Sequence, residues 1–127
     1  MICTTESFLD GDPLLTFAAA DSRALGENLP AGPYFKRLAA LAGELKIHLV
    51  AGLIIADDRA GHNGVVLIGP DGQLIGTRRQ GGECAVFETP FGKIGLPVGV
   101  ERTNPNAVRR FVAQGADFLL SPSGSWR

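Results

Sequence analysis

Two glutamates stand directly after apolar stretches, at positions where a carboxylate could take part in chemistry. Glu6 follows the short apolar and β-branched stretch at residues 1–5, and Glu101 follows the uncharged stretch at residues 94–100. Both stretches are typical of strands, and in layered α/β folds ligands and catalytic groups gather at the carboxyl ends of strands. By this argument Glu101 is a candidate site residue. Taken alone, however, Glu6 is better explained as a carboxylate that caps a neighbouring turn.

Cys3 and Cys84 are the only thiols of the chain. They follow no spacing motif, which indicates free cysteines in a reducing compartment, and we expect the cytoplasm. Cys84 lies beside Glu83 and could act as a nucleophile. Nothing in the sequence lowers its pKa, so a small packed residue at the start of a strand is the favoured interpretation. Packing is likewise favoured for Cys3.

Asp57, Asp58 and His62 form the remaining cluster of residues that could do chemistry, in a turn between two predicted strands. Acidic residues are common in such turns because they are solvated. A metal site would need a further ligand at suitable spacing, and the other histidine, His48, lies inside a predicted strand. We therefore predict no metal and no cofactor.

Composition limits the class of protein. The chain has 127 residues, 45% hydrophobic and 20% charged, and a net charge of −1. These values predict a single globular domain over residues 1–127 and give no attraction for nucleic acid or acidic lipid. No apolar stretch approaches the roughly 20 residues that span a bilayer, and the N-terminus does not resemble a secretory signal.

Helices that would position these side chains are indicated at three places. The clearest covers residues 34–46, where apolar residues recur at three- and four-residue spacing. Its apolar face comprises Phe35, Leu38, Ala39, Ala42 and Leu45. A second begins at Asn104 and Pro105, which suit the N-cap and N1 positions. Its apolar face comprises Val108, Phe111 and Val112. A short third helix is predicted over residues 14–25.

The other apolar stretches predict a mixed sheet with helices packed on one side, an α/β fold. The predicted strands are residues 1–5, 48–56, 63–68, 73–79, 84–88, 94–100 and 116–120. A tight turn at residues 69–72, GPDG, joins two of these strands into a hairpin.

Three blocks of this sequence resemble the nitrilase superfamily, the carbon–nitrogen hydrolases. They are TESFLDG at residues 5–11, HNGVVLIGPDGQLIGTRR at residues 62–79, and VFETPFGKIG with QGADFLLSPSGSW at residues 86–95 and 114–126. They occur in the order found in the family, at compatible spacing. The resemblance implies an α-β-β-α sandwich that is incomplete here, because the family's opening strand and helix and its C-terminal part would be missing.

The chemistry of this family needs three groups. A cysteine thiolate attacks the amide or nitrile carbon, a glutamate transfers protons, and a lysine stabilises the tetrahedral intermediate. The resemblance places Glu6 at the glutamate position, Gln80 near the lysine position and Gly99 at the cysteine position. Glu101 matches the acidic residue that follows two positions after the cysteine.

Glycine cannot act as a nucleophile, and removing one typically costs on the order of a millionfold in turnover. We therefore expect a carbon–nitrogen hydrolase that is impaired or inactive, a pseudoenzyme. Arg79 could replace the lysine charge, but a solvated arginine at a strand end is the favoured interpretation. Because Glu6 and Glu101 favour a retained pocket, the alternative is a non-catalytic module that binds a small amide or nitrile, or that drives oligomerisation.

Two expectations concern the surface. A partial sandwich would leave an apolar sheet face exposed, which predicts a homo-oligomer. Ser121, Ser123 and Ser125, with Trp126, resemble the loop that lines the family's pocket, but a polar tail explains them at least as well.

Overall fold

The computed structural model describes residues 1–6 and 26–122 and contains two sheets, each with parallel and antiparallel pairs. The first sheet has the strand order β1-β2-β3-β4. Its strands are β1 (Ile2–Cys3), β2 (Leu49–Ala56), β3 (Gly61–Ile68) and β4 (Leu74–Arg79). β1 runs parallel to β2, whereas β3 is antiparallel to both β2 and β4. The predicted hairpin turn at residues 69–72 joins β3 to β4.

The second sheet has the order β5-β6-β7, with β5 antiparallel and β7 parallel to β6. Its strands are β5 (Val86–Thr89), β6 (Gly92–Gly95) and β7 (Phe118–Leu119). The described helices are α1 (Pro33–Leu45), α2 (Pro105–Ala113) and a 3₁₀ helix at Gly99–Thr103. As predicted, the Asn104 side chain caps α2, since it accepts hydrogen bonds from two N–H groups of the first turn.

The buried side chains form two layers, one on each face of the first sheet. Successive residues of a strand point to opposite faces. On one face the apolar side of α1 packs against alternate strand residues. These are Leu49, Ala51, Leu53, Val66 and Ile68. The other face packs against β6 of the second sheet and against the buried segment that follows β6. The residues there are Val50, Val65 and Leu67 with Ile94, Leu96 and Val98.

The second sheet carries α2 on its other side. A Cβ at Gly95 would lie 2.8 Å from the ring of Phe111, which is buried at 1% exposure. The order of layers is therefore helix, sheet, sheet, helix. This confirms the predicted α-β-β-α sandwich. Within residues 1–6 and 26–122, each sheet has its helix on one side.

The predicted strand over residues 94–100 is wrong beyond Gly95. Leu96, Pro97 and Val98 are buried but outside the strand, and Val100 is 69% exposed in the 3₁₀ helix. Pro97 has no N–H to donate to a ladder, and Gly99 turns the chain with a φ of +56°. The uncharged stretch therefore reflects burial of a turn, not a long strand.

Two residues assigned to apolar helix faces are exposed, Leu45 at 55% and Val112 at 61%. Leu45 is the last residue of α1, where Lys46 takes the left-handed conformation and ends the helix. In the short α2, Phe111 is the buried residue, and its neighbour Val112 points about 100° away around the helix axis. The short helix predicted over residues 14–25 lies outside the described residues.

The apolar sheet face expected to be exposed is buried in the described part of the chain. Val50 and Val65 on one face, and Ala51 and Val66 on the other, are all 0% exposed. The reason given for a homo-oligomer is therefore wrong, and the homo-oligomer itself stays a prediction. None of the described helices is long and apolar enough to cross a membrane.

Candidate functional site

The strand pairing brings Glu6 onto the first sheet at Gly52 of β2. Beyond β1, the Thr4 N–H donates to the Val50 carbonyl at 2.9 Å, and the Gly52 N–H donates to Thr4 Oγ1 at 3.1 Å. A Cβ at Gly52 would lie 2.8 Å from the carbonyl oxygen of Thr5 and 2.9 Å from Cα of Glu6. Glycine at position 52 therefore allows the segment that carries Glu6 to lie directly on β2.

We expect Gly52→Ala to lower the free energy of unfolding by about 1–3 kcal/mol, because the added methyl group meets backbone atoms that cannot rotate away. Chemical denaturation would measure this loss. Gly43→Ala is the matched control, since a Cβ there has its nearest neighbour at 3.7 Å. In the last turn of α1 this change should instead stabilise, by up to about 0.5–1 kcal/mol. Equal effects of the two substitutions would contradict the close packing at Gly52.

Asn63 of β3 connects Glu6 to the other predicted site positions. Its side chain is buried, with the residue 7% exposed, and its Nδ2 donates a hydrogen bond to Glu6 Oε1. Its Oδ1 is buried without a hydrogen-bond partner in the described part of the chain. The backbone of Asn63 also accepts a hydrogen bond at 2.8 Å from the N–H of Gln80, just beyond β4. Asn63 was not predicted from the sequence, where it is one residue of a strand.

Gly99 lies against the same two side chains. A Cβ built on Gly99 would be 2.4 Å from Gln80 Oε1 and 3.4 Å from Asn63 Nδ2. The positions predicted for the glutamate, lysine and cysteine therefore meet around Asn63, although they come from three separate parts of the chain. An open cleft of about 260 Å³ lies beside them, lined by Gly61, His62, Asn63 and Gln80.

Glu101 has a different environment from Glu6. Its carboxylate accepts hydrogen bonds from Arg78 Nη1 at 2.9 Å, the Val98 N–H at 2.8 Å and the Gly81 N–H at 2.9 Å. Burial by itself would raise the pKa of Glu101, but these hydrogen bonds together lower it below its ordinary value. Glu101 is thus held as a carboxylate that ties the 3₁₀ turn to the loop after β4.

Arg78 is the partner that the sequence analysis missed. It is 5% exposed, and its guanidinium stacks 4.9 Å from the centre of the Phe111 ring. Besides Glu101 it donates to three backbone carbonyls. They belong to Gly82, Glu83 and Leu96. Arg78 therefore connects the loop that follows Gln80 with the segment that leads to Gly99. The alternation of β4 places it on the face opposite to Arg79, but the sequence alone does not show which of the two arginines is buried.

Arg79 points away from this group and pairs with Asp57, with 2.8 Å between Nη1 and Oδ2. His62 Nε2 contacts the same oxygen at 2.8 Å. Hydrogen bonds from the N–H groups of Ala60 and Arg59, and then from His62, hold the pKa of Asp57 far below its ordinary range. Asp57 is therefore the acceptor that organises the β2–β3 turn.

Among residues 1–6 and 26–122, no three side chains that could bind a metal lie together.

Both cysteines are free thiols. Burial raises the pKa of Cys84 in spite of the positive charges of Arg78 and Arg110. A raised pKa disfavours the thiolate that a nucleophile requires. Cys3 is exposed on the edge strand β1, so its predicted packing is wrong.

One serine of the predicted pocket-lining loop can be placed. Ser121 Oγ donates to the Pro97 carbonyl at 2.8 Å, which ties the end of β7 to the segment before Gly99. Ser123, Ser125 and Trp126 lie outside the described residues.

Comparison with known proteins gives a consistent result. The family model for carbon-nitrogen hydrolases matches residues 6–127. A bifunctional nitrilase/nitrile hydratase of Lupinus angustifolius is 32% identical over an alignment 111 residues long, which covers 76% of this chain and 32% of that protein. A carbon-nitrogen hydrolase from Helicobacter pylori G27 superposes with a TM-score of 0.75 at 24% identity, covering 93% of this chain and 46% of that one.

An amidase from Nesterenkonia sp. AN1 superposes with a TM-score of 0.65 at 20% identity, covering 70% of this chain and 40% of the amidase. At such identities the superpositions show a shared fold. The chain spans about a third of the length of the curated relative and less than half of each solved structure. The family model matches nearly the whole sequence, and the layers agree with the solved structures. This chain therefore belongs to the carbon–nitrogen hydrolase family.

Proposed function

We propose that this chain is one partial carbon–nitrogen hydrolase domain, over residues 1–127, that does not hydrolyse amides or nitriles. The observation that carries the proposal is the contact at Gly99. The space beside its Cα, where a catalytic side chain would begin, contains the carboxamide of Gln80. The site positions are therefore close together, but neither a thiol nor an amine is present at them.

The remaining groups cannot replace these two functions. In this proposal Glu6 occupies the position of the general base, where it could transfer protons. A base without a nucleophile gives no covalent intermediate. The Gln80 carboxamide is neutral, so it would stabilise a developing negative charge less than an ammonium group does. Glu101 serves as a positioning residue, because its carboxylate is already bound by Arg78 and two backbone N–H groups.

Binding without turnover is the second candidate function. The cleft beside Asn63 and Gln80 favours it, since about 260 Å³ accommodates a small organic molecule. A cysteine-to-alanine mutant of the Nesterenkonia amidase forms a complex with butyramide. A small primary amide or nitrile is therefore the ligand class that we propose for this chain.

Ammonia release from a panel of simple amides and nitriles tests the proposal. We expect the purified chain to release no more ammonia than its Glu6→Ala and Cys84→Ala variants. The reason is that neither Glu6 alone nor a thiol with a raised pKa supplies a working nucleophile. Release by the parent chain that is lost in both variants would overturn the proposal, and would identify Cys84 as a relocated nucleophile.

A further inference from the structure

Gln80 takes up the space that belongs to position 99. A Cβ at Gly99 would lie 2.4 Å from Gln80 Oε1 and 3.1 Å from Gln80 Cδ, so the carbonyl lies against the position where a side chain of residue 99 would begin. Real Cβ atoms do not approach other atoms so closely. The side chain of Gln80 and any side chain at position 99 therefore exclude one another in this arrangement.

The group that fills this space is itself a primary carboxamide. Counted from its Cα, the Gln80 side chain has the carbon skeleton and the terminal group of butyramide. Its position is set by the backbone, because the Gln80 N–H donates to the Asn63 carbonyl at 2.8 Å and extends the β3–β4 pairing. The Asn63 side chain then lies beside the carboxamide, with Nδ2 at 3.4 Å from the same Cβ position.

We propose that the Gln80 carboxamide is an internal occupant of the amide site, which excludes free primary amides until it rotates away. This rests on the proposed assignment of position 99 as the reaction position. Gln80 is an exposed residue, and rotamer changes of exposed side chains are fast. The apparent affinity for an external amide is then reduced by the fraction of time for which the site is open.

An NMR titration with butyramide tests this inference. We expect Gln80→Ala to bind butyramide at least about tenfold more tightly than the parent chain, which corresponds to a site that Gln80 fills about nine-tenths of the time. The backbone signals of Gly61, His62, Asn63 and Gly99 should report the binding. Gln73→Ala, a change of another exposed glutamine at the far end of β4, should bind like the parent. Equal affinities of Gln80→Ala and the parent would overturn the inference.

A second measurement does not depend on a ligand. In the parent chain the side-chain NH₂ signals of Gln80 should differ from those of a solvated glutamine, and Gly99→Ala should move them to solvated values, since a methyl group would displace Oε1. Unchanged NH₂ signals would contradict the contact.

Ammonia measured in the same butyramide samples separates the two proposals. Release by the parent would overturn the lack of turnover, whereas the binding difference alone decides the role of Gln80.

Discussion

Replacing Arg78 with methionine is expected to lower the free energy of unfolding by about 3–5 kcal/mol, the range for breaking a buried ion pair from one side. The side chains of Arg78 and Glu101 are 3% and 14% exposed, so water can replace the lost partner only in part. Methionine keeps an apolar stem against Phe111 but leaves three backbone carbonyls and one carboxylate without this donor. Denaturation in urea would measure the loss.

Arg79→Met is the matched control for this prediction. Arg79 is the adjacent residue of β4, and its side chain is 51% exposed and paired with Asp57 at the surface. Exposed pairs of this kind contribute about 0–1 kcal/mol. Similar losses in the two variants would contradict the role that we give to Arg78.

The double variant Arg78→Met/Glu101→Leu should lose less free energy of unfolding than the sum of the losses in its two single variants, since it removes both charges of the pair.

Because of the ion pair between Arg78 and Glu101, the free energy of unfolding depends on pH in the acid range. The pKa of Glu101 is lower in the folded chain than in the unfolded chain, so the unfolded state binds more protons in acid. The contribution of Glu101 is therefore complete above the unfolded pKa, about 4.3, and is lost as the pH falls through the folded pKa. In Arg78→Met the free energy of unfolding should therefore change less with pH in acid. If the variant were destabilised for a reason unrelated to Glu101, this pH dependence would be unchanged.

The double variant Gly99→Cys/Gln80→Lys is expected to release ammonia from a small primary amide. It supplies a thiol and a cation at the two positions that meet around Asn63 and Glu6. Without the cation, Gly99→Cys alone should be about 10²–10³-fold slower than the double variant. Without the thiol, Gln80→Lys alone should be slower by on the order of a millionfold. Single-turnover ammonia measurements would compare them.

Gly99→Ala/Gln80→Lys controls for shape and charge in this experiment, because it adds a Cβ and the cation without a thiol. Adding Glu6→Ala to the active double variant should abolish release, since no general base remains. A folded double variant with a titratable thiol but no release would show that positions 6, 80 and 99 do not reproduce the arrangement of the family.

The sequence predicted those parts of the fold that depend on local patterns. The helix α1 was predicted to within one residue at each end, and the turn of the β3–β4 hairpin at residues 69–72 was also predicted, although β3 begins at Gly61 and not at Asn63. Asn104 acts as the expected cap. Glu6 lies in a block that resembles the family, whereas Gln80 and Gly99 lie just beyond such blocks and were assigned by counting along the chain; all three site assignments stay predictions. Each of these inferences uses residues that are close together in the chain or that belong to a known block.

Contacts between distant residues were beyond prediction. Arg78 and Glu101 are 23 positions apart, and either could have been a solvated surface charge. Glu27 is another case: it is 5% exposed, and its Oε2 accepts a hydrogen bond from the Phe35 N–H at 3.1 Å, in the first turn of α1. Burial of these charged groups results from tertiary packing, which hydrophobic periodicity does not encode.

The positive φ of Gly99 has a consequence for how such a chain evolves. Glycine adopts this conformation without strain, whereas a residue with a Cβ costs about 1–2 kcal/mol there. On the assignment proposed above, replacing a side chain at position 99 by glycine would remove the nucleophile and relieve the backbone in one step. A return to cysteine is opposed by stability, and selection for turnover would have to outweigh that cost. Where turnover is not under selection, mutation and drift alone are then sufficient to keep glycine at this position.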